Sequence, residues 1–437
     1  MNPRTFYIDY AAGSDGNPGT SKTAPWKTAP GMAGFAGKYS HTAGDRFIFK
    51  GGVTWPTSCF QWKIVGSGTA SAPDYYGSDP SWFNGASFKR PLFDFERRVI
   101  GGWQYGAGVL FEGVQWAHID NLEFANHAAP LAKAGIQTWG TMTICWNSCN
   151  NMTISRCLIR DWWQPNVNGA IESGTSGGGG IQKVNAGSGL AAVDCEFHQL
   201  GAGVASGTAL WNIVTVERCH IHHTPTAIMS ANVVRDNYIH DLINPGDPAA
   251  HSNVMLCNGG VIITGNVIHD IPPVAQVMFF APGYYGVGHA LCQGNVVFNV
   301  AQPCIAIDTD GQNNPGASIK VQGNTLVGPG GTGYCIRVGN RNNGPLGALD
   351  YRDNRLISTK PVSIEAGVTA LTQANNTIYT LAQAAAAGLT AANRFGAQGI
   401  PTQPTEPPPV EPPPVEPPPT NTIRVFEGKI TFDGVWK

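Results

Sequence analysis

Charge is scarce in this chain of 437 residues, since only 13% of them are Asp, Glu, Lys or Arg. The 27 basic and 29 acidic side chains leave a formal net charge of −2. A nucleic-acid or anionic-membrane partner would favour a marked basic excess, so neither partner is expected. Glycine is abundant instead, at 55 residues, and together with frequent Asn it favours tightly turning β structure over helices.

Long apolar runs are also missing. No stretch approaches the roughly 18 consecutive apolar residues of a transmembrane helix, so no membrane span is predicted. The N-terminal stretch MNPRTFYIDYAAGSDGNPG lacks the basic start and apolar run of a secretory signal. We therefore expect either a chain that stays in a cytosol or one whose leader is not part of this sequence.

Cysteine is present but without a metal-binding pattern. Ten Cys are spread through the first 335 residues, and we predict buried reduced thiols that act as small apolar side chains. Cys145 and Cys149 lie close together in CWNSC, yet no second pair or His follows at zinc-finger spacing. No metal site is predicted, and calcium is the one cofactor left open.

A repeat of about 29 residues runs through the second half of the chain. The stretch VVRDNYIHD (Val233–Asp241) is echoed by VIITGNVIHD, ALCQGNVVFN, IKVQGNTLVG and LDYRDNRLIS. The residue two places after the Asn of each copy is apolar, and the flanking alternation has the period of two that is typical of strands with one buried face. Short strands with this period and Gly/Asn turns indicate an all-β solenoid.

One position of the repeat, that of the Asn in each copy, is called the slot here. It is occupied by Cys in the earlier coils and by Asn in the later ones. Stacked about 4.8 Å apart, one per coil, such amides can hydrogen-bond along the solenoid axis, and Asn also tolerates unusual turn angles. Length differences between copies are expected in loops at one corner. The predicted structural ladder consists of Cys157, Cys195, Cys219, Asn237, Asn266, Asn295, Asn324, Asn354 and Asn376.

The repeat resembles the right-handed parallel β-helix of the pectate-lyase-like superfamily, of the kind found in phage tailspikes and virion appendages. The segments FYIDYAAGSDGNPGTSKTAPWKT and AGDRFIFKGG near the N-terminus are similar to the start of many such proteins. The resemblance covers roughly Tyr7 to Tyr379 and implies an N-terminal segment that covers the open end of the helix. It implies little about chemistry, because this architecture hosts lyases, hydrolases, epimerases and adhesins.

Composition predicts the remaining boundaries. We expect an N-terminal cap with the first coils at 1–98, the β-helix at 99–380, and a helix that shields the last coil within 381–400. Residues 401–420 are predicted to be a polyproline spacer of about 60 Å at about 3.1 Å per residue. Residues 421–437 are too few to bury a core. We predict a hairpin that docks on a partner through Ile423, Val425, Phe426, Ile430, Phe432 and Trp436.

A row of imidazoles follows the slot at a distance of three residues, and it has two interpretations. His198, His222, His240 and His269 are expected to point outward, with Arg160 before them. They indicate either a metal-binding or proton-transferring stripe or a stack of neutral rings at a solvated corner. Metal ions prefer ligands that converge on one point, and rings arranged in a row along one axis do not converge, which favours the neutral stack.

Candidate catalytic groups lie in two later stretches. Asp308 and Asp310 in AIDTDGQNN resemble the NTDG motif of polygalacturonases, although Asp308 stands where the motif has Asn. Such paired carboxylates serve as acid and base in glycoside hydrolysis, while turn formation and calcium binding are the other interpretations. Arg337 is compatible with binding a sugar carboxylate, or with the role of base that the resemblance to pectate lyases implies.

Candidate carbohydrate contacts come from aromatic side chains and one long loop. Trp162, Trp163, Trp103 and Tyr105 offer flat faces for sugar rings, although Trp at a corner equally often packs under a loop. Asp247 and His251 lie in a long excursion between repeats, where solenoids often carry binding loops.

Two functions follow from these patterns. The first is a virion-type appendage, such as a tailspike, fibre or capsid decoration, assembled in a host cytoplasm. It would be anchored to a virion protein through residues 421–437 and contact cell-surface polysaccharide. The second is an extracellular polysaccharide lyase or glycoside hydrolase. Homo-oligomer formation is open in both.

Overall fold

The structure of the chain is a computed structural model. The structure describes residues 4–64, 66–98, 100, 106–128, 141–162, 178–200, 207–243, 253–257, 260–273, 276–280, 288–308, 314–339, 346–365, 367–396, 424–426 and 429–431. The chain divides into two compact units, 1–401 and 402–437. None of the helices in these ranges is long and apolar enough to cross a bilayer.

Three long sheets, each made of parallel strands, form the first unit. The first sheet contains β1 (Thr5–Ile8), β2 (Arg46–Phe49), β5 (Asp74–Ser78), β8 (Gln115–Asp120), β11 (Asn150–Ser155), β14 (Ala191–Val193), β17 (Thr215–Glu217), β20 (Val233–Arg235), β23 (Val261–Thr264), β26 (His289–Gln293), β29 (Asn314–Gln322), β32 (Leu346–Arg352) and β35 (Val368–Ala374). The second contains β4 (Trp62–Ile64), β7 (Val109–Glu112), β10 (Thr141–Asn147), β13 (Gly178–Val184), β16 (Gly207–Trp211), β19 (Thr226–Met229), β22 (Asn253–Cys257), β25 (Gln276–Phe280), β28 (Ile305–Asp308), β31 (Ile336–Gly339) and β34 (Val362–Ile364). The third contains β3 (Thr54–Trp55), β6 (Leu92–Asp94), β9 (Glu123–Ala125), β12 (Leu158–Trp162), β15 (Glu196–Leu200), β18 (His220–His222), β21 (Tyr238–His240), β24 (Val267–Ile271), β27 (Val296–Val300), β30 (Thr325–Val327), β33 (Arg355–Ile357) and β36 (Thr377–Tyr379).

Each coil contributes one strand to each sheet in the order first, third, second, so consecutive strands of one sheet come from consecutive coils. This confirms the predicted parallel β-helix. The apolar residue two places after the slot points inward in every coil and stacks on its equivalent above and below, as Ile221, Ile239 and Ile268 do. All three are at most 1% exposed, and the core is therefore a continuous column of such layers.

The corner between the first and third sheets depends on a left-handed residue. The residue before the slot has positive φ in successive coils, for example Asp236 at 56°, Gly265 at 67° and Gly294 at 66°. Glycine and, among other residues, Asp and Asn adopt this conformation most readily. The expectation that the slot Asn itself takes the unusual angles is wrong, because the residue before it makes the turn.

From β8 onward, connections of variable length occur at two corners, not at the single corner expected. Between third-sheet and second-sheet strands, the longest segments of the chain are 95–108, 126–140, 163–177 and 241–252. Between second-sheet and first-sheet strands, they are 65–73, 185–190, 281–288 and 340–345. Both corners border the second sheet, whereas two residues join the first sheet to the third in each coil from β8 onward.

The N-terminal end of the core is closed by aromatic side chains. Phe6 on β1 stacks between Trp26 and Phe47, with ring centroids 4.6 and 5.6 Å away. Trp26 is 2% exposed and donates its indole N–H to the Asn17 carbonyl at 2.8 Å. These contacts give the segment before β2 a buried apolar anchor at this end of the core.

Within the described residues, the predicted helix does not cover the C-terminal end of the core. Leu371 and Ile378 occupy inward positions of the last coil but are 48% and 59% exposed. The helix α1 (Leu381–Ala386) and a 3-10 segment (Ala391–Gly396) instead fold back along the solenoid. Ala384 and Phe395 pack on the outer face of the third sheet, where apolar side chains such as Phe298 provide a partner surface.

The second unit contains one antiparallel pair, β37 (Arg424–Phe426) with β38 (Lys429–Thr431). Val425, Phe426 and Ile430 of the predicted docking set lie in these strands. Ile423, Phe432, Trp436 and the proline tract lie outside the described residues.

Candidate functional site

The slot residues form one hydrogen-bonded column inside the solenoid. Asn266 shows the pattern: its Nδ2 donates to Oδ1 of Asn295 at 2.9 Å, and its backbone N–H donates to the same oxygen at 3.0 Å. The same pair of bonds joins Asn237 to Asn266, Asn295 to Asn324 and Asn354 to Asn376. From Asn266 onward, each Oδ1 therefore accepts two bonds, and each Nδ2 in the column also reaches a backbone carbonyl, which leaves these amides satisfied.

The thiols continue this column toward the N-terminus. Cys157, Cys195 and Cys219 are 1–2% exposed, and the Cys219 backbone N–H donates to Oδ1 of Asn237 at 2.8 Å. Leu122 occupies the next slot, a member that the sequence patterns did not reveal. All ten cysteines are free and buried, and burial raises the pKa of the column thiols Cys157 and Cys219 well above its usual range. Protonated thiols are poor nucleophiles, and this part of the column is therefore structural.

The imidazole row lies on the outer face of the third sheet as one continuous stack. Ring centroids are 5.0 Å apart for His198 and His222, 5.3 Å for His222 and His240, and 5.1 Å for His240 and His269. Phe298 extends the stack at 4.8 Å from His269. The expectation of a solvated corner is wrong, because His222, His240 and His269 are only 4%, 7% and 9% exposed.

A second column runs beside the first, because residues one and three places after the slot share a face. His220 and Glu196 belong to this second column, which the sequence analysis did not single out. The His220 and His222 ring centroids are 4.3 Å apart, and Nε2 of His222 lies 3.3 Å from Oε1 of Glu196. Alternation alone would have revealed both residues, since positions two apart in a strand point to the same side.

The electrostatics of this cluster favour neutral imidazoles and an ionised carboxylate. Burial, reinforced by neighbouring imidazoles, lowers the pKa of His220 to about 3, and burial is also the main cause that lowers the pKa of His198 and of His240 to about 4. Burial acts to raise the pKa of Glu196, but the His222 hydrogen bond and the surrounding imidazoles outweigh it and lower that pKa.

A cavity of about 410 Å³ lies at the corner that follows this face. Its polar lining comes from the left-handed residues His223, Asp241, Asp270 and Asn299, one from each of four successive coils. Asp241 and Asp270 contact Nδ1 of the preceding His240 and His269 at 2.7 and 2.5 Å. These carboxylates therefore orient the imidazole stack and are only partly available to a ligand.

The outer face of the second sheet carries a different surface. One residue per coil lies there in unbroken register, and the column runs Gln182, Trp211, Met229, Leu256, Phe279, Ala306, Arg337 and Ser363. Trp211, Met229 and Phe279 are partly exposed, in contrast to the fully buried side chains that precede them in the strands. Trp211 and Phe279 are three coils apart, which is about 14 Å at a strand spacing of about 4.8 Å.

Two predicted catalytic residues come together at the C-terminal end of this column. Asp308 and Arg337 lie on adjacent strands, β28 and β31, and a Cβ placed on Gly339 would be 3.8 Å from Asp308 Oδ2 and 3.9 Å from Arg337 Nη2. Arg337 also pairs with Glu365, with Nε 3.4 Å from Oε1. Asp310 lies outside the described residues.

The predicted carbohydrate contacts are not brought together. Trp162 is 1% exposed and belongs to the interior core, so its assignment to a sugar-binding surface is wrong. The reason is the left-handed residue Asp161, with φ of 58°, which turns the chain so that the next side chain points inward. Trp103, Tyr105, Trp163, Asp247 and His251 lie outside the described residues.

No protein-family model matches this sequence, and no curated protein is significantly similar to it. Solved structures do resemble the fold. A GH136 lacto-N-biosidase from Eubacterium ramulus is similar at 13% identity and a TM-score of 0.48, over 86% of this chain and 68% of that chain. A rhamnogalacturonan lyase is similar at 11% identity and a TM-score of 0.46, over 86% and 87% of the two chains.

A third similar structure is the tailspike protein of E. coli bacteriophage HK620, at 12% identity and a TM-score of 0.38, over 73% of this chain and 60% of that chain. All three similarities concern the backbone fold alone. The assignment of the parallel β-helix rests on the three sheets themselves.

Proposed function

We propose that this protein is an anchored appendage whose β-helix binds surface polysaccharide along the outer face of the second sheet. The observation that carries the proposal is the column containing Trp211, Met229 and Phe279. Sites for organic ligands combine apolar and aromatic side chains with a few polar groups. Here Gln182 precedes the partly exposed apolar residues, with the buried Cys145 and Leu110 before it. Arg337 and Ser363 end the column, so an extended ligand lying along the axis would meet apolar faces and then polar side chains.

Position supports the same surface. The second sheet is bordered by both of the corners at which the length of the connections varies, and solenoids often carry binding loops at such insertions. The third sheet is less suitable, because its outer face is already occupied by Phe395 and Ala384 over several coils. The first sheet is also less suitable, because only one of the two corners with connections of variable length borders it.

The test is binding to a panel of neutral and uronate-containing polysaccharides, measured by biolayer interferometry. Trp211→Ala and Phe279→Ala should each weaken binding roughly tenfold, because loss of a stacking face costs about 1 kcal/mol or more. Leu381→Ala is the matched control, since it removes an apolar side chain that is 45% exposed but lies in α1. No binding across the panel, or equal losses in all three variants, would contradict the proposal.

Anchoring is assigned to the second unit. A two-stranded pair of this size is not stable alone in water, so a partner surface is its natural complement. We propose a virion protein as that partner, assembled in a host cytoplasm. A variant that ends at residue 400 should keep the solenoid's far-UV spectrum and glycan binding but lose co-sedimentation with the particle. Unchanged co-sedimentation would refute the anchor.

One observation supports a second candidate, a lyase or hydrolase working on the same face. Asp308 and Glu365 supply carboxylates, and Arg337 supplies a cation, where the aromatic column ends. Incubation with the bound polysaccharide separates the outcomes. Unsaturated products that absorb ultraviolet light indicate a lyase, and new reducing ends without them indicate a hydrolase. Either activity should be lost in Asp308→Asn if this end of the column is catalytic.

A further inference from the structure

The buried imidazole cluster contains a set of donor atoms that converge. Glu196 on β15 is in register with His220 on β18, and His222 follows two residues later on the same face. One donor atom from each of these three side chains lies within 4.8 Å of the other two. His220 and His222 are 6% and 4% exposed, so the donors are shielded from bulk water.

Hydrogen bonding fixes the proton positions on two of the neighbouring rings. Asp241 can only accept, so Nδ1 of His240, 2.7 Å away, carries a proton and donates it. A neutral His240 then has an unprotonated Nε2, and Nε2 of His220, at 2.7 Å, must be the donor between them. The lone pair of a neutral His220 is therefore on Nδ1.

That nitrogen has no hydrogen-bond partner within the described part of the chain, although it is buried. An unsatisfied buried acceptor is destabilising, and in a folded protein it calls for an explanation, of which a bound ion is one. The ring itself is well packed, since it stacks on His222 and on His240 at 4.3 and 4.9 Å. Packing thus explains the position of the ring but leaves the lone pair unexplained.

The donor set matches a transition-metal cation. Two imidazoles and one carboxylate form a known zinc ligand set, and bonds of about 2.0–2.1 Å place tetrahedral ligands about 3.3–3.4 Å apart. The distance between Nε2 of His222 and Oε1 of Glu196 is already 3.3 Å. Imidazole favours zinc and its neighbours over calcium, which prefers oxygen ligands alone.

A second shell is also present. Nδ1 of His222 lies 2.7 Å from Nδ1 of His223. Ligating imidazoles usually give their other N–H to such a partner, which fixes the ring and its tautomer. When Nε2 of His222 binds a cation, the ring proton moves to Nδ1 and is donated to His223. The geometry thus accommodates the tautomer that binding needs without rearrangement of the strand.

We propose that Glu196, His220 and His222 bind one divalent transition-metal cation, such as Zn²⁺, on the outer face of the third sheet. The site is independent of the proposed glycan surface on the second sheet. Its role is to tie together β15 and β18, the strands of two successive coils, at a point where the apolar cover given by Phe395 and Ala384 has ended.

The test uses the full chain without an affinity tag, stripped with EDTA, desalted and titrated with Zn²⁺ against a chromophoric chelator. One equivalent should bind. Glu196→Gln and His222→Gln should each weaken binding by more than about 100-fold, since loss of a second-shell partner alone costs about 10–100-fold. His269→Gln is the matched control, because it removes a stacked imidazole of similar burial that contacts Tyr238 and Asp270 instead. It should change the affinity by less than about twofold, because His269 supplies none of the three donor atoms.

Two further measurements keep the test decisive. Far-UV circular dichroism of each variant establishes that the solenoid is intact. X-ray absorption at the zinc edge should show only nitrogen and oxygen neighbours, at about 2.0–2.1 Å. The proposal is overturned if the stripped protein binds no zinc at one equivalent, if folded Glu196→Gln and His222→Gln bind as the wild type does, or if His269→Gln loses binding equally.

Discussion

The amide column permits a quantitative prediction about stability. Asn295 is fully buried, and replacing it with Leu keeps the volume of the side chain while removing four hydrogen bonds. Two are accepted by Oδ1, from the backbone N–H and Nδ2 of Asn266, and two are donated by Nδ2, to the Ile263 carbonyl and Oδ1 of Asn324. The donors on Asn266 are left without this acceptor in a place that water does not reach.

The expected cost follows from those two donors. An orphaned buried donor costs about 1–3 kcal/mol, so Asn295→Leu should lower the free energy of unfolding by about 2–6 kcal/mol. Asn376→Leu provides the comparison, because Asn376 makes the same two bonds to Asn354 but is only partly buried in the last coil. Water can replace its oxygen there, so the cost should be below about 1 kcal/mol.

Urea unfolding followed by both circular dichroism and tryptophan fluorescence measures the difference. Two probes are needed because repeat solenoids can unfold in parts, and coincident transitions justify a single free energy. Equal stability of Asn295→Leu and Asn376→Leu would show that position in the column does not matter. A loss below about 1 kcal/mol for Asn295→Leu, at an unchanged denaturant slope, would refute the reasoning from orphaned donors.

Two other predictions concern single buried side chains. Burial lowers the pKa of His127 to about 4, although its contact with the Gly106 carbonyl opposes the shift. Because the unfolded value is near 6.5, its contribution to stability is complete above that pH and is lost toward pH 4, by up to about 1.4 kcal/mol per pH unit. In urea titrations at pH 7.5 and 5.5, His127→Phe should therefore be less pH-sensitive than the wild type, and identical pH dependence would contradict this. Phe395→Ala should cost about 3 kcal/mol by thermal unfolding, as a Phe that is 6% exposed and stacked on Phe298 is removed. A cost within error of zero would mean that the C-terminal segment does not pack there in solution.

Much of the solenoid was predictable because its signals are local and repeated. The slot and the apolar residue two places later recur at each coil, so both positions can be recognised from the repeat itself. Alternation fails where a left-handed residue interrupts it. Arg160 points outward, and simple alternation would place Trp162, two residues later, on the same side. The left-handed Asp161 between them reverses this direction, and Trp162 therefore lies in the core.

The C-terminal segment was misjudged for a different reason. Its composition correctly predicted a helix, and the Thr380–Gln383 capping box is present. Composition does not say which apolar surface that helix covers. The choice is made by Phe298, Val327 and Ile357, whose outward positions supply an apolar face on the third sheet. Similarly, the column from Trp211 to Phe279 was invisible because its members come from stretches without a common motif and are aligned only by strand register.

The amide column also separates the length of the solenoid from its cross-section. Asn237, Asn266, Asn295 and Asn324 follow one another at the same interval of 29 residues, and each is hydrogen-bonded to the amide of the next coil. A duplication or deletion of one such interval in the gene would add or remove a whole layer and rejoin identical surfaces. Evolution can therefore lengthen or shorten this rod in single steps without redesigning either end.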